Sequence, residues 1–272
     1  YNGSLSNLVH LRQGLPQGAV LSPLLFLFFI DDLHLLIPEG VEIAMFADDA
    51  SIWTDDTDLN RAARTIQNVA DSIEAWSEKK KMTINVDKSE LAVFTNSPSE
   101  AKWRTNITML GKPVPFNPSP KFLGIHLDRS LSFGEQVKQC TQKASSRLRM
   151  LACLATKEWG WSKLNLRRIF LATYRSVLDY AGCAWQPFLS DTQLKKLDIC
   201  QNKALRIITG QYHSTPVEAL RLEAGVESYQ TTSKKITAIS REKADRVDQD
   251  HPRYMALKPD SNIPHRTSRQ SW

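Results

Sequence analysis

Two adjacent carboxylates, Asp48 and Asp49, stand between two runs of strand-forming residues at 41–47 and 51–54. The pattern predicts a hairpin with paired acids at its tip. Neighbouring acids repel, and a hard divalent ion relieves that repulsion: Mg²⁺ binds through one or two carboxylates together with substrate phosphates. A solvated acidic turn is the alternative, because Asp is a common turn residue. A second set is basic. It comprises Lys138, Lys143, Arg147 and Arg149, then Lys163, Arg167, Arg168 and Arg175, then Lys195, Lys196, Lys203 and Arg206. Between Arg129 and Arg206 there are 14 Lys/Arg against 5 Asp/Glu. Such an excess suits contacts to a phosphate backbone, which bind without reading sequence and weaken steeply with salt. The competing reading is a solvated helix face.

Other reactive side chains point to structure. Asp31-Asp32 ends an apolar run and is expected to cap it or face solvent. Asp55, Asp56 and Asp58 precede a helix and suit its positive end. The six histidines show no His-x3-His spacing, and Cys140, Cys153, Cys183 and Cys200 form no CxxC pair. No zinc site is expected, and the cysteines should be free thiols. Trp76, Trp159, Trp161 and Trp185 fall at element ends and read as core or boundary residues.

The elements that position these groups follow from periodicity. Val9–Leu11 is a short extended run leading into a glycine-flanked loop, Gln13 to Gly18. Ser22-Pro23 reads as N-cap and first position of a helix over Leu24–Leu36. That helix is apolar nearly all round until Asp31, so burial on most sides is expected. After the hairpin, Leu59, Ala62, Ala63, Ile66, Val69, Ala70, Ile73 and Trp76 mark an amphipathic helix closed by Lys79-Lys80-Lys81. Short strands are predicted at Ala92–Thr95, Ile107–Leu110, Pro113–Phe116 and Phe122–Leu127. Helices follow over 134–155, 163–180, 191–209, 216–223 and 229–248. Thr215-Pro216-Val217-Glu218 resembles a capping box.

The chain of 272 residues carries a net charge of +6, unevenly split. Residues 1–135 hold 12 Lys/Arg and 17 Asp/Glu, a net of −5, and the remainder holds 23 and 12, a net of +11. An acidic front suits cations and a basic rear suits a polyanion. The longest apolar run, Leu24–Ile30, is far short of the ~20 residues that cross a bilayer and lacks the flanks of a signal peptide.

The motifs occur in a telling order: Gln17-Gly18-Ala19-Val20-Leu21-Ser22-Pro23, an apolar helix, Phe46-Ala47-Asp48-Asp49, Asn85-Val86-Asp87-Lys88-Ser89, and Lys121-Phe122-Leu123-Gly124. This series resembles the palm of reverse transcriptases of the non-LTR (LINE-type, Jockey-like) retrotransposon group, over roughly residues 1–130. The likeness extends more weakly to about 250 through Ser214-Thr215-Pro216 and Glu223-Ala224. The resemblance implies an α+β fold: a partial polymerase palm over 1–130, an all-α thumb-like region over 131–249, and a loosely held tail over 250–272. It implies that Asp48 and Asp49 hold Mg²⁺, two ions in the complete enzyme. Pro16, Gln17, Gly18, Ser22 and Phe46 would line the nucleotide and template side, and Lys88 would assist at the leaving pyrophosphate. Phe122, Leu123 and Gly124 would grip the primer end. Lys138, Lys143, Arg147, Arg149, Arg167 and Arg168 would touch nucleic-acid backbone. The implied partners are an RNA template, a DNA primer and deoxynucleotides, with no membrane. The implied location is intracellular, nuclear and cytoplasmic.

The family also needs a third aspartate on an upstream strand, and fingers. Only sixteen residues precede Gln17, and none is acidic. The expectation is therefore a C-terminal portion of an RNA-directed DNA polymerase, with primer extension undetectable by this chain alone. Two alternatives stand beside it: a catalytically dead nucleic-acid-binding remnant, and another palm polymerase such as an intron maturase.

Overall fold

A computed structural model describes residues 14–156 and 160–247. The Val9–Leu11 run, Gln13, Trp159 and the 250–272 tail lie outside the described residues. The rest falls into two compact units. One runs to Ala92 and resumes over Ser97–Asn117; the other comprises Val93–Asn96 and the residues from Pro118 on. The described elements are helices and small antiparallel sheets, an α+β composition.

In the first unit, β1 (Val41–Phe46) and β2 (Asp49–Thr54) form an antiparallel hairpin in register from Val41↔Thr54 to Phe46↔Asp49. Alternation sends Val41, Ile43 and Ile52 to one face. There they meet Leu33, Val69 and Ile73 in a small core. Val69 and Ile73 come from α2 (Leu59–Lys80), whose apolar stripe is the one the sequence periodicity marks. Asp58 caps α2 by accepting from the Asn60 amide at 2.9 Å. Lys81, in the left-handed region at φ +56°, closes it through carbonyls of Ser77 and Glu78. Polar side chains on α2 then anchor the small hairpin of β3 (Thr108–Met109) and β4 (Lys112–Pro113). The Thr108 amide donates to Gln67 Oε1 and the Leu110 amide to Glu74 Oε2, each at 2.8 Å.

The first helix departs from expectation twice. α1 spans Ser22–Ile30 and continues as a 3₁₀ segment over Asp31–Leu36. Its cap is Leu21, with no side-chain bond; Ser22 Oγ instead donates back to the Pro16 carbonyl at 2.7 Å. Of its residues only Ile30 is buried, and Phe28 is 70% exposed. The expected burial fails because the unit's small core is built from Leu33, the hairpin and α2, and no α1 residue belongs to it. Asp32 neither caps nor faces solvent freely. It pairs with Lys80 at 2.8 Å and accepts from Trp76 Nε1 at 3.0 Å, while Lys80 donates to the Phe29 carbonyl. These contacts tie the end of α1 to the end of α2. Ala92–Thr95 is not a strand; Leu91 makes a single bridge to Phe116.

In the second unit, the expected strand Phe122–Leu127 is two short ones, β5 (Lys121–Phe122) and β6 (Ile125–His126). Leu123 at φ +44° and Gly124 at φ +85° reverse the chain between them. The helices follow closely: α3 (Gly134–Leu154), α4 (Lys163–Ile169), α5 (Ser176–Asp179), α6 (Gly182–Trp185), α7 (Asp191–Thr209), α8 (Val217–Ala224) and α9 (Tyr229–Asp245). Between α4 and α5, Phe170–Arg175 is π-helical. Bonding from i to i+5 turns Arg175 onto the face of Phe170. The capping box lies at Ser190 and Gln193, ahead of α7, rather than at Thr215, because α8 starts from Pro216 with no side-chain cap. Phe170, Tyr174, Leu178, Trp185, Leu197 and Leu205 form the centre of one large core. Cys140 and Cys200 are buried, Cys153 and Cys183 exposed, and all four are free.

Candidate active site and basic helical unit

The acidic pair sits where the sequence puts it. Asp49 opens β2 opposite Phe46, and Ala47-Asp48 form the turn. Both carboxylates are exposed and take no ion pair or side-chain hydrogen bond from any described residue. Ala47 lies at φ +52°, a region that costs a non-glycine residue roughly 1–2 kcal/mol. Backbone strain of this kind persists where the surroundings fix it, and functional tips are common places for it. Ala47→Gly should therefore raise the stability of this unit by up to about 1 kcal/mol, read as a rise in Tm.

Around the pair, Phe46 is 63% and Trp53 is 47% exposed, on the hairpin face opposite the Val41–Ile43–Ile52 core face. The same unit contains Pro16, Gln17, Gly18 and Ser22. The Pro16 carbonyl accepts from both the Ala19 amide and Ser22 Oγ, so the loop is fixed to the start of α1. Gly18 needs its freedom: its φ is +88°, and open space surrounds its Cα. Lys88 closes a 3₁₀ turn over Val86–Lys88 that Asn85 caps. Buried Val86 and core-packed Ile84 hold that turn down while the Lys88 side chain stays exposed.

Two adjacent carboxylates with no competing cation suit a hard divalent ion shared with phosphate oxygens. Among the described residues no group of three or more His, Cys, Asp or Glu forms a closed cage. The tip supplies two carboxylates, so an ion held there would take its remaining ligands from elsewhere.

Phe122, Leu123 and Gly124 fall in the second unit. Tyr180 Oη donates to the Leu123 carbonyl at 3.1 Å. Glycine suits this position for its φ of +85°, and a Cβ there would also press on the Tyr180 ring at 3.0 Å. The His126 amide donates to Gln136 Oε1, tying β6 to α3. Burial, with Lys121 and Lys143 nearby, holds His126 below the usual imidazole range.

The six expected backbone contacts divide into two kinds. Lys138 pairs with Glu135 at 3.3 Å, Arg147 donates to the Thr173 carbonyl at 2.9 Å, and Arg167 to the Gly225 carbonyl at 3.0 Å. Lys143, Arg149 and Arg168 have no such partner among the described residues. Arg175 is wholly internal, 5% exposed, and bound to Asp179 and Gln201. Sequence reasoning marked all of these as one surface because charge runs do not say which members are already paired.

Residues 1–127 match the family model described as reverse transcriptase (RNA-dependent DNA polymerase). The chain is 28% identical over 208 residues to the probable RNA-directed DNA polymerase from transposon BS of Drosophila melanogaster. It is 27% identical over 218 residues to the RNA-directed DNA polymerase from mobile element jockey of the same species. It is 30% identical over 221 residues to the probable RNA-directed DNA polymerase from transposon X-element, also of Drosophila melanogaster. These alignments cover 73%, 77% and 77% of the chain but 22%, 23% and 23% of the relatives. The chain thus spans less than a quarter of their length. No solved structure matches. No described helix is long and apolar enough to cross a membrane.

Proposed function

We propose that the chain, whose residues 1–127 match the reverse transcriptase family model, serves RNA-directed DNA synthesis by a non-LTR retrotransposon. The observation that carries this reading is the hairpin that presents Asp48 and Asp49, unpaired, at an exposed tip. Mg²⁺ held there would stabilise charge on the attacking and leaving oxygens of nucleotidyl transfer. The chain's own residues have distinct tasks. Asp48 and Asp49 supply the anionic oxygens. Gly18, with no side chain, lets template or nucleotide approach the loop, and Gln17 and Phe46 offer it an amide and an apolar ring. Lys88 supplies positive charge toward the departing pyrophosphate. The Phe122–Gly124 turn holds the primer end. The helical second unit is thumb-like, and Lys143, Arg149 and Arg168 are its cations for duplex phosphates.

Binding of a metal–nucleotide complex at the hairpin tests the reading without requiring turnover. Mn²⁺ with a deoxynucleoside triphosphate should broaden the backbone amide resonances of Ala47, Asp48 and Asp49 ahead of all others. D48N/D49N should abolish that selectivity. Uniform broadening, or broadening that survives in the double variant, would refute the assignment.

A further inference from the structure

Leu123 and Gly124 alone close the hairpin of β5 and β6, because Phe122 faces Ile125 across the pair. Both closing residues lie at positive φ, +44° and +85°. A two-residue hairpin turn of type I′ demands this at both positions, and Asn-Gly is a preferred sequence for it. Gly124 meets the demand freely. Leu123 does not, because its Cβ makes the left-handed region unfavourable. Strain of this kind persists only where the surroundings over-determine the conformation. β6 supplies part of that hold: Ile125 and Leu127 pack against the large core, and the His126 amide donates at 2.9 Å to the buried Gln136 side chain. These contacts fix the strand and stop short of the turn itself.

The turn is held by a residue far along the chain. Tyr180 Oη donates to the Leu123 carbonyl at 3.1 Å, and the same ring covers Gly124. Tyr180 stands in the corner between α5 and α6, and that corner is stiff. The fully buried Trp185 indole donates to the Tyr180 carbonyl at 2.9 Å. Ala181 is left-handed at φ +49°. Gly182 packs so closely on the buried Gln186 side chain that a Cβ would approach it to 2.5 Å. Gln186 in turn donates to Tyr229 Oη at 2.6 Å. The Tyr180 main chain is thus fixed to the core while its side chain, 55% exposed, reaches outward. At that exposure the ring adds little to the core; what it does is bond and cover one turn.

We infer that Tyr180 is a positioning residue for the primer end: it clamps the strained Leu123–Gly124 turn in the conformation that presents Phe122 to the primer terminus. The inference rests on the reading that the Phe122–Gly124 turn holds that terminus, and it adds the residue that sets the turn's geometry. The bonded carbonyl belongs to Leu123, the residue that resists the turn, and not to Gly124, which accepts it. A phenol suits the task because its two side-chain torsions leave little freedom to lose. Without the hydroxyl, Leu123 is free to return toward negative φ, which a two-residue loop of this type does not allow. A one-residue slip in the pairing would carry Phe122 to the other face of the hairpin. Misplacing a reacting group by about 1 Å can cost a hundredfold in rate, so a turn at a primer end gains from being fixed.

The clamp is tested first in the whole chain, by amide hydrogen exchange of Tyr180→Phe, which keeps the ring and deletes the hydroxyl. Exchange at Leu123, Gly124 and Ile125 should speed up about two- to tenfold, the span of one hydrogen bond, while α7 stays unchanged. In L123N the Asn-Gly pair adopts the turn unaided, so adding Tyr180→Phe should change those rates less than about twofold. The functional arm is single-turnover primer extension by an RNA-directed DNA polymerase carrying this segment. There Tyr180→Phe should slow incorporation at saturating deoxynucleotide roughly three- to tenfold, with the half-saturating deoxynucleotide concentration within about twofold. In the L123N background the same step should cost less than about twofold. Unchanged exchange at the turn in Tyr180→Phe would overturn the proposal. So would equal penalties in the two backgrounds, which would make Tyr180 a general support of its unit. A turn loosened by Tyr180→Phe and restored by L123N, with incorporation unaffected throughout, would instead overturn the primer-end reading and leave the clamp standing.

Discussion

Asp48→Asn, in an RNA-directed DNA polymerase carrying this segment, is expected to lower deoxynucleotide incorporation on an RNA template at least a hundred- to thousandfold, on the order of one preorganised charge-stabilising group. The substitution keeps size and hydrogen-bonding capacity but removes the negative charge that a hard cation needs. Its structural cost should be small. Asp48 occupies the turn, its side chain is exposed, and no described residue is bonded to it, so stability should move by less than about 0.5 kcal/mol. Asp48 and Asp49 differ in one respect: Asp49 is paired in the ladder opposite Phe46, whereas Asp48 is held only by the turn. Both Asn variants should lose activity, and raising Mg²⁺ should restore neither. Primer extension with matched far-UV circular dichroism separates the outcomes. Full activity in Asp48→Asn would remove the hairpin from the chemistry, and loss of activity accompanied by loss of helix would assign the residue to folding instead.

The parts of this molecule that were legible beforehand are those fixed by local pattern. The hairpin, α2 and the succession α3, α4, α7 and α9 follow from alternation and from apolar residues at helical spacing, and the structure has them within a few residues. α1 was legible as a helix but not as an exposed one. Its residues state a preference for burial, and whether a unit provides cover depends on residues far away in the chain. Leu123 is a good strand residue, so Phe122–Leu127 reads as one strand; Gly124 is the cue that the chain turns back, and the ring beside it, Tyr180, comes 56 positions later. The Ser190-x-x-Gln193 cap is present as a pattern, while at Thr215 the proline makes the start of a helix look capped when it is not.

The candidate site divides along the same line. Asp48 and Asp49 could be placed because a turn between two strands is local. The distinction between Lys138, Arg147 and Arg167, which are spent on internal partners, and Arg149, Lys196 and Lys203, which are not, depends on side chains brought near by tertiary packing. An open groove between α3 and α7 has a periodic lining. Thr141, Ser145 and Arg149 recur every fourth residue beside Lys196, Ile199 and Lys203 at helical spacing.

Arg175→Met is expected to cost about 3–5 kcal/mol at neutral pH, the usual penalty for breaking an ion pair in a protein interior, and the cost should grow with pH. Arg175 Nε is 2.7 Å from Asp179 Oδ2, and Nη1 donates to Gln201 Oε1. The guanidinium lies 4.6 Å from the centroid of the Tyr229 ring. Gln201 goes on to the Glu227 carbonyl, and Tyr229 Oη to that of Leu178. One side chain thus joins the π-helical turn, α5, α7 and α9. Burial raises the Asp179 carboxyl pKa more than Arg175 lowers it. With its folded pKa above the unfolded value, Asp179 favours the folded state most at low pH, and that contribution is lost as pH rises through the folded pKa. Methionine fills the volume but removes the one cation that lowers this pKa, so the loss in the variant should extend to higher pH than in the parent. Urea unfolding between pH 4 and 7 should show the smaller deficit at the acid end, where protonation of Asp179 is favoured, and the larger one at pH 7. The double variant R175M/D179N has no charge left to bury, so its deficit should be smaller at pH 7 and nearly flat with pH. If the single variant's deficit is independent of pH, or the double variant is as unstable as the single at pH 7, then Arg175 stabilises this unit through packing and its bond to Gln201 rather than by compensating a buried carboxylate.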